Sequence, residues 1–159
     1  MITNILIILW LVFIVLAIGV IVWKLSHHAQ VYPFTLSSKV DIPYITLNIQ
    51  GQLLNMIIDT GCGVSIISQK VLAFIEHDSS TRQINLQAVT AEELPSAMVT
   101  IPFTINGKNL SEDFVVYPAD DFGNFEHNSG ITMHGLLGNE FLERTNCRIN
   151  YANHTISLS

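Results

Sequence analysis

The chain has 159 residues, enough for one domain with a modest core. A formal net charge of −6 leaves no basic surface for a polyanion, so nucleic acid is excluded as an expected partner. Two cysteines and six histidines, with no CxxC or HExxH spacing, point to neither a disulfide framework nor a metal site, and no cofactor is expected.

The mean hydropathy of +0.42 owes most to one stretch, residues 5–23, ILIILWLVFIVLAIGVIVW. About 20 apolar residues at 1.5 Å rise match a hydrocarbon core of about 30 Å. The sequence therefore predicts a transmembrane helix there, with the bilayer as a partner and a single-pass membrane location. MITN supplies no basic start and HHAQ is a poor cleavage site, which favours an uncleaved anchor over a signal peptide. Lys24 and Lys39 follow the run and nothing basic precedes it, so the positive-inside rule places the rest in the cytoplasm on two lysines only. The expected division is an anchor at 1–24, a tether at 25–40 and one folded domain at 41–159. The tether is polar and broken by Pro33, with a short strand near residues 31–34.

Beyond residue 40 the apolar pattern has period two. In YITLNIQ, Ile45, Leu47 and Ile49 alternate with polar residues, as on a half-buried strand. Gly51-Gln52 marks a turn, LLNMIID a more buried strand, VSIIS another, and QKVLAFIEH a short helix. QINLQAV and MVTIPFTI are further strands, joined by the polar tip TAEELPSA. Val99, Ile101, Phe103 and Ile105 share one face of the second. Asn106-Gly107 is a hairpin turn, and SEDFVVY returns from it. PADDFGNFEHNSG reads as a polar loop, HGLLGNEFLER as a short apolar run with a brief helix, and CRINYANHTISLS as a closing hairpin. Many short strands with little helix predict an all-β barrel or sandwich.

MIIDTGCGVSII, residues 56–67, carries the chemistry. Asp59 ends an apolar strand on a tight turn, where the sheet positions it and lets it project. Two such carboxylates face to face cannot both ionise, so they share a proton. One then takes a proton from water while the other polarises a carbonyl.

IIDTGCGVSIIS resembles the active-site loop of retropepsin-like aspartic proteases: apolar residues, Asp-Thr-Gly, a small residue, then an apolar strand. LLGNEFL, beginning at Leu136, 77 residues after Asp59, is similar to that family's second block, two apolar residues and a Gly followed by a short helix. The resemblance covers about residues 40–159. It implies an all-β acid-protease barrel, a single lobe that homodimerises, because the chain has one Asp-Thr-Gly. It implies catalytic Asp59, Thr60 and Gly61, substrate contacts at Cys62, Gly63, Val89, Thr90 and Ala91, and support of the site by Leu136, Leu137 and Gly138. The hairpin near 87–98 would be the flap. The implied function is a membrane-anchored aspartic endopeptidase acting on peptide or protein substrates. The alternative is a catalytically silent module of the same fold that binds peptides or dimerises at the membrane. Three positions depart from the family pattern: Cys62 stands where Ala is usual, His134 where an acid is common, and the flap tip lacks Gly.

Overall fold

The computed structural model describes residues 10–21, 30–82, 84–87, 93–105, 108–117 and 122–159. The chain divides into two compact units, one of which is Val31–Leu158 and the other of which contains the N-terminal helix. That helix, α1, is described over residues 10–21. Among the described residues no helix is long and apolar enough to cross a membrane. The expected transmembrane span at residues 5–23, the bilayer as partner and the single-pass membrane location are therefore corrected. Residues 5–9 and 22–23 lie outside the described residues.

The larger unit is mostly β. Its central sheet is built from β2 (Thr35–Leu36), β3 (Pro43–Ile49), β4 (Gln52–Ile58), β5 (Ser65–Ser68), β6 (Asp78–Ser79), β9 (Met98–Ile105), β10 (Lys108–Tyr117) and β11 (Gly135–Leu137). The spatial order is β2-β3-β4-β11-β5-β10-β9-β6. Strands β1 (Gln30–Pro33), β12 (Arg148–Asn150) and β13 (Thr155–Leu158) form a second sheet, and β7 (Ile84–Gln87) pairs with β8 (Glu93–Ser96). β1 and β2 fall within the stretch expected to be a tether, with β1 close to the short strand anticipated there.

The alternation read in the sequence is what the core uses. Ile45, Leu47 and Ile49 of β3 are buried with Val99, Ile101, Phe103 and Ile105 of β9 in one cluster. Leu54, Met56 and Ile58 of β4 face the same cluster, while Ile57 faces a smaller one with Met133 and Leu136. β4 thus buries apolar residues on both sides, which explains its nearly continuous apolar run.

Local details differ from expectation for identifiable reasons. The β3–β4 turn is Gln50-Gly51, one residue earlier than expected; both have positive φ (53° and 86°), as a two-residue hairpin turn demands, and Gly51 N–H donates to Asn48 Oδ1 at 2.9 Å. The helix expected in QKVLAFIEH is a single 3-10 turn, Val71–Ala73. Part of the expected loop before residue 130 is helical, α2 (Phe122–Ser129). Ser129 Oγ donates to the Phe125 carbonyl, and Gly130 (φ 75°) ends the helix in the left-handed conformation glycine favours. The brief helix after Gly138 is present as α3 (Asn139–Arg144).

Candidate active site

Asp59 sits where β4 ends. β4 and β5 are consecutive along the chain yet not neighbours in the sheet, because β11 lies between them. β11 pairs parallel with β4 (Leu137 opposite Ile58) and antiparallel with β5 (Leu136 opposite Ile66). The Asp-Thr-Gly turn thus bridges the end of an inserted strand, and LLG is that strand's end. The two motifs, far apart in sequence, are hydrogen-bonded partners: Asp59 N–H donates to the Leu137 carbonyl at 3.1 Å.

The turn is braced from within. Gly61 N–H donates to Asp59 Oδ1 at 2.9 Å, so the carboxyl closes its own loop. Gly61 is absent from the positive-φ residues; a Cβ there would stand 3.3 Å from Asp59 Oδ1. Close approach to the carboxyl, rather than a left-handed backbone, is what this glycine serves. The turn is also braced from behind. The Cys62 and Gly63 carbonyls accept the N–H groups of Asn139 and Glu140 at 2.7 and 3.0 Å, which docks the loop onto the start of α3.

Gly138 explains the Gly of the second block. A Cβ on it would run into the Val64 carbonyl and the Ser65 nitrogen. Gly135 is equally tight, since a Cβ there would meet the Ile66 carbonyl oxygen. Both ends of β11 therefore need a bare backbone to enter between β4 and β5.

Asp59 is half-buried, and Thr60, Gly61 and Gly63 are exposed. The Cys62 thiol is half-buried and donates to the Val64 carbonyl at 3.2 Å. Burial pushes its pKa up, and the neighbouring Asp59 carboxylate pushes the same way. Leu137 is fully buried in the main core, and Leu136 packs with Ile57 and Met133. The structure thus brings Asp59 to Gly63 together with Leu136 to Gly138. Val89, Thr90 and Ala91 lie outside the described residues. The strands that lead to them, β7 and β8, form an antiparallel pair with Gln87 opposite Glu93.

His134 lies away from the turn, at the far end of β11. Its Nδ1 accepts the Asn55 N–H at 2.9 Å and its own N–H donates to the Asn55 carbonyl at 3.0 Å. Burial lowers its pKa, with Glu126 opposing. This histidine ties β11 to β4 four residues before Asp59.

Sequence reasoning passed over a set of polar residues behind the turn. Ser65, wholly buried, accepts the Gly138 N–H on its Oγ at 3.1 Å. Glu112, also buried, pairs with Arg144 of α3. Arg82, just ahead of β7, makes two bonds to the Glu140 carboxylate, at 3.0 and 3.1 Å. One signal was available. On β10, Leu110, Glu112, Phe114 and Val116 share a face, which sets an acid in an inward-pointing series.

Solved structures similar to this chain include two of retropepsin-like fold. A retropepsin-like aspartic protease from Rickettsia conorii is 19% identical with a TM-score of 0.52, over 82% of this chain and 91% of that one. The retroviral protease-like domain of Ddi1 from Leishmania major is 17% identical with a TM-score of 0.50, over 76% of this chain and 90% of that one. At such identities the likeness establishes a retropepsin-like fold. No family model and no curated protein matches the sequence.

Proposed function

We propose that this chain is an aspartic endopeptidase whose active site is assembled from two copies. The observation that carries the proposal is the position of Asp59. In a retropepsin-like fold, the chain's Asp-Thr-Gly occupies the turn over the inserted strand β11, held by the Leu137 carbonyl and the Gly61 N–H. A turn anchored at both its backbone and its carboxyl is preorganised for chemistry.

One Asp59 per chain requires a second copy to complete a dyad. Two facing carboxyls hold one proton between them. The ionised carboxylate removes a proton from water, and the water oxygen attacks the peptide carbonyl carbon. The protonated carboxyl donates to the carbonyl oxygen, which stabilises the tetrahedral intermediate. Collapse breaks the C–N bond as the nitrogen is protonated, leaving a carboxylic acid and an amine. Thr60, exposed at the turn, is assigned to the contact between copies, and Gly61, Cys62 and Gly63 to the floor of the peptide cleft. Val89, Thr90 and Ala91 are assigned to the flap on the sequence resemblance. Leu136, Leu137 and Gly138 support the turn.

The test is cleavage of a peptide library by the full chain between about pH 4 and 7, beside Asp59→Asn and Asp59→Ala. The expected result is cleavage that both substitutions abolish and that rises faster than linearly with enzyme concentration. A folded, dimeric wild type that cleaves nothing would replace the protease with a peptide-binding or dimerisation module.

A further inference from the structure

Among the described residues, β7 and β8 pair with each other and belong to neither larger sheet. A two-stranded hairpin is marginal by itself in water, so its seat on the rest of the unit depends on its two ends. The β8 end is built into the central sheet. Ser96 leads through Ala97 into β9, and the Ala97 carbonyl accepts the Val116 N–H of β10 at 2.9 Å. The β7 end follows β6, where the Ser80 N–H donates to the Met98 carbonyl at 3.0 Å. Arg82 stands two residues before β7, and its backbone N–H donates to Ser80 Oγ at 3.2 Å. Its guanidinium donates twice to the Glu140 carboxylate, Nη1 to Oε2 at 3.0 Å and Nη2 to Oε1 at 3.1 Å.

Glu140 is itself fixed to the loop that follows Asp59. Its N–H donates to the Gly63 carbonyl at 3.0 Å, beside the Asn139 N–H, which donates to the Cys62 carbonyl at 2.7 Å. One residue therefore holds that loop with its backbone and the foot of the hairpin with its side chain. We infer that Arg82 is a positioning residue: its forked bond to Glu140 seats the β7–β8 hairpin at a fixed place relative to the Asp59 turn. Its effect on cleavage rests on the function proposed above, which assigns Val89, Thr90 and Ala91 to the flap; the seating itself does not.

The choice of partner follows from the charges nearby. Arg82, Ser111, Glu112, Asp113, Glu140 and Arg144 line one recess. Arg144 pairs with Glu112, and Asp113 Oδ1 accepts the Thr100 hydroxyl at 2.6 Å. Glu140 is then the carboxylate that meets Arg82, and the acids outnumber the guanidinium groups, which favours a cation there. The Arg82 guanidinium holds the Glu140 carboxyl below its ordinary pKa, so the pair is charged at neutral pH. Both side chains are about half exposed. An exposed ion pair adds little to global stability, but a planar fork on both carboxylate oxygens fixes direction as well as distance. The pair acts on where the hairpin sits, and its loss should leave the fold intact.

The experiment is amide hydrogen exchange, read by NMR on the full-length ¹⁵N-labelled chain. Arg82→Ala should speed exchange of the β7 and β8 amides about threefold, the size expected for an exposed ion pair, with Ile101 and Phe114 of the central sheet unmoved. Glu140→Gln keeps the backbone bond to Gly63 and should do the same. Adding Glu140→Gln to Arg82→Ala should change nothing more, because the bond is already gone. Arg82→Lys keeps the charge without the fork and should fall between wild type and Arg82→Ala. In wild type, about 0.5 M NaCl should speed the hairpin amides relative to Ile101, and in Arg82→Ala it should not. The salt comparison in wild type needs no substitution and carries the test if a variant does not fold. In the cleavage assay Arg82→Ala should raise KM about threefold and leave kcat within about twofold. Hairpin exchange unmoved in folded Arg82→Ala or Glu140→Gln, or unmoved by salt in wild type, overturns the inference. If hairpin exchange moves as expected but the wild type cleaves nothing, the seating stands and the protease falls. If the wild type cleaves and hairpin exchange stays, the outcome is the reverse.

Discussion

Gly138→Ala tests whether the inserted strand organises the site. The added Cβ meets the Val64 carbonyl and the Ser65 nitrogen, both backbone, so no side-chain rotation relieves the clash. Either β5 or the end of β11 must move. Overpacking of a tight interior costs about 1–3 kcal/mol. The same shift stretches the Gly138 N–H bond to Ser65 Oγ, which lies in a buried setting. Leaving such a pair unmade costs about another 1–3 kcal/mol. The sum, about 2–6 kcal/mol, is a large share of the roughly 5–15 kcal/mol that stabilises a typical domain. Urea titration of the full chain by fluorescence and far-UV circular dichroism reads it as a midpoint lowered by more than about 1 M, or as a chain already unfolded without denaturant. Gly130→Ala is the control. There the positive φ is strained too, but the Cβ meets only the Ser38 hydroxyl and the flexible Lys39 stem. It should cost about 1–2 kcal/mol. A Gly138→Ala midpoint within about 0.5 kcal/mol of wild type would show that β11 does not sit against β5 as described.

Two further predictions concern titration and reactivity. His134 has its pKa lowered by burial, so the fold prefers the neutral ring; its contribution to stability is present above the unfolded value of about 6.5 and is lost as pH falls through the folded value. An NMR titration of His134 should give a midpoint below about 6.5, and a midpoint above it would refute burial as the dominant influence. The Cys62 and Cys147 thiols both have raised pKa values through burial, so both should alkylate slowly near pH 7.5 in the native chain and quickly in urea. Rapid native labelling of Cys62 would count against its half-buried position.

Much of the central sheet was legible because burial repeats with the pleat. MVTIPFTI places Val99, Ile101, Phe103 and Ile105 on one face, and all four are buried. The helix α2 was not legible, since FGNFEHNS has no apolar period; Phe125 packing beside Ile57 and Gly130 closing the last turn hold it in place. The apolar run near the N-terminus was legible as hydrophobic, but among the described residues no helix is long and apolar enough to cross a membrane.

By itself the sequence determined which residues seek the interior, where the chain turns, and that a lone Asp-Thr-Gly and a later Leu-Leu-Gly stand between apolar strands. Those are local properties, set by side-chain chemistry and backbone freedom. Only the tertiary structure decided that Leu-Leu-Gly runs between the two strands flanking Asp59, that Gly138 is bare because Val64 lies against it, and that a buried Glu112 pairs with Arg144. The reason is physical: strand order and burial of a charge depend on partners far apart in sequence, and no local pattern encodes which strand will enter between two others.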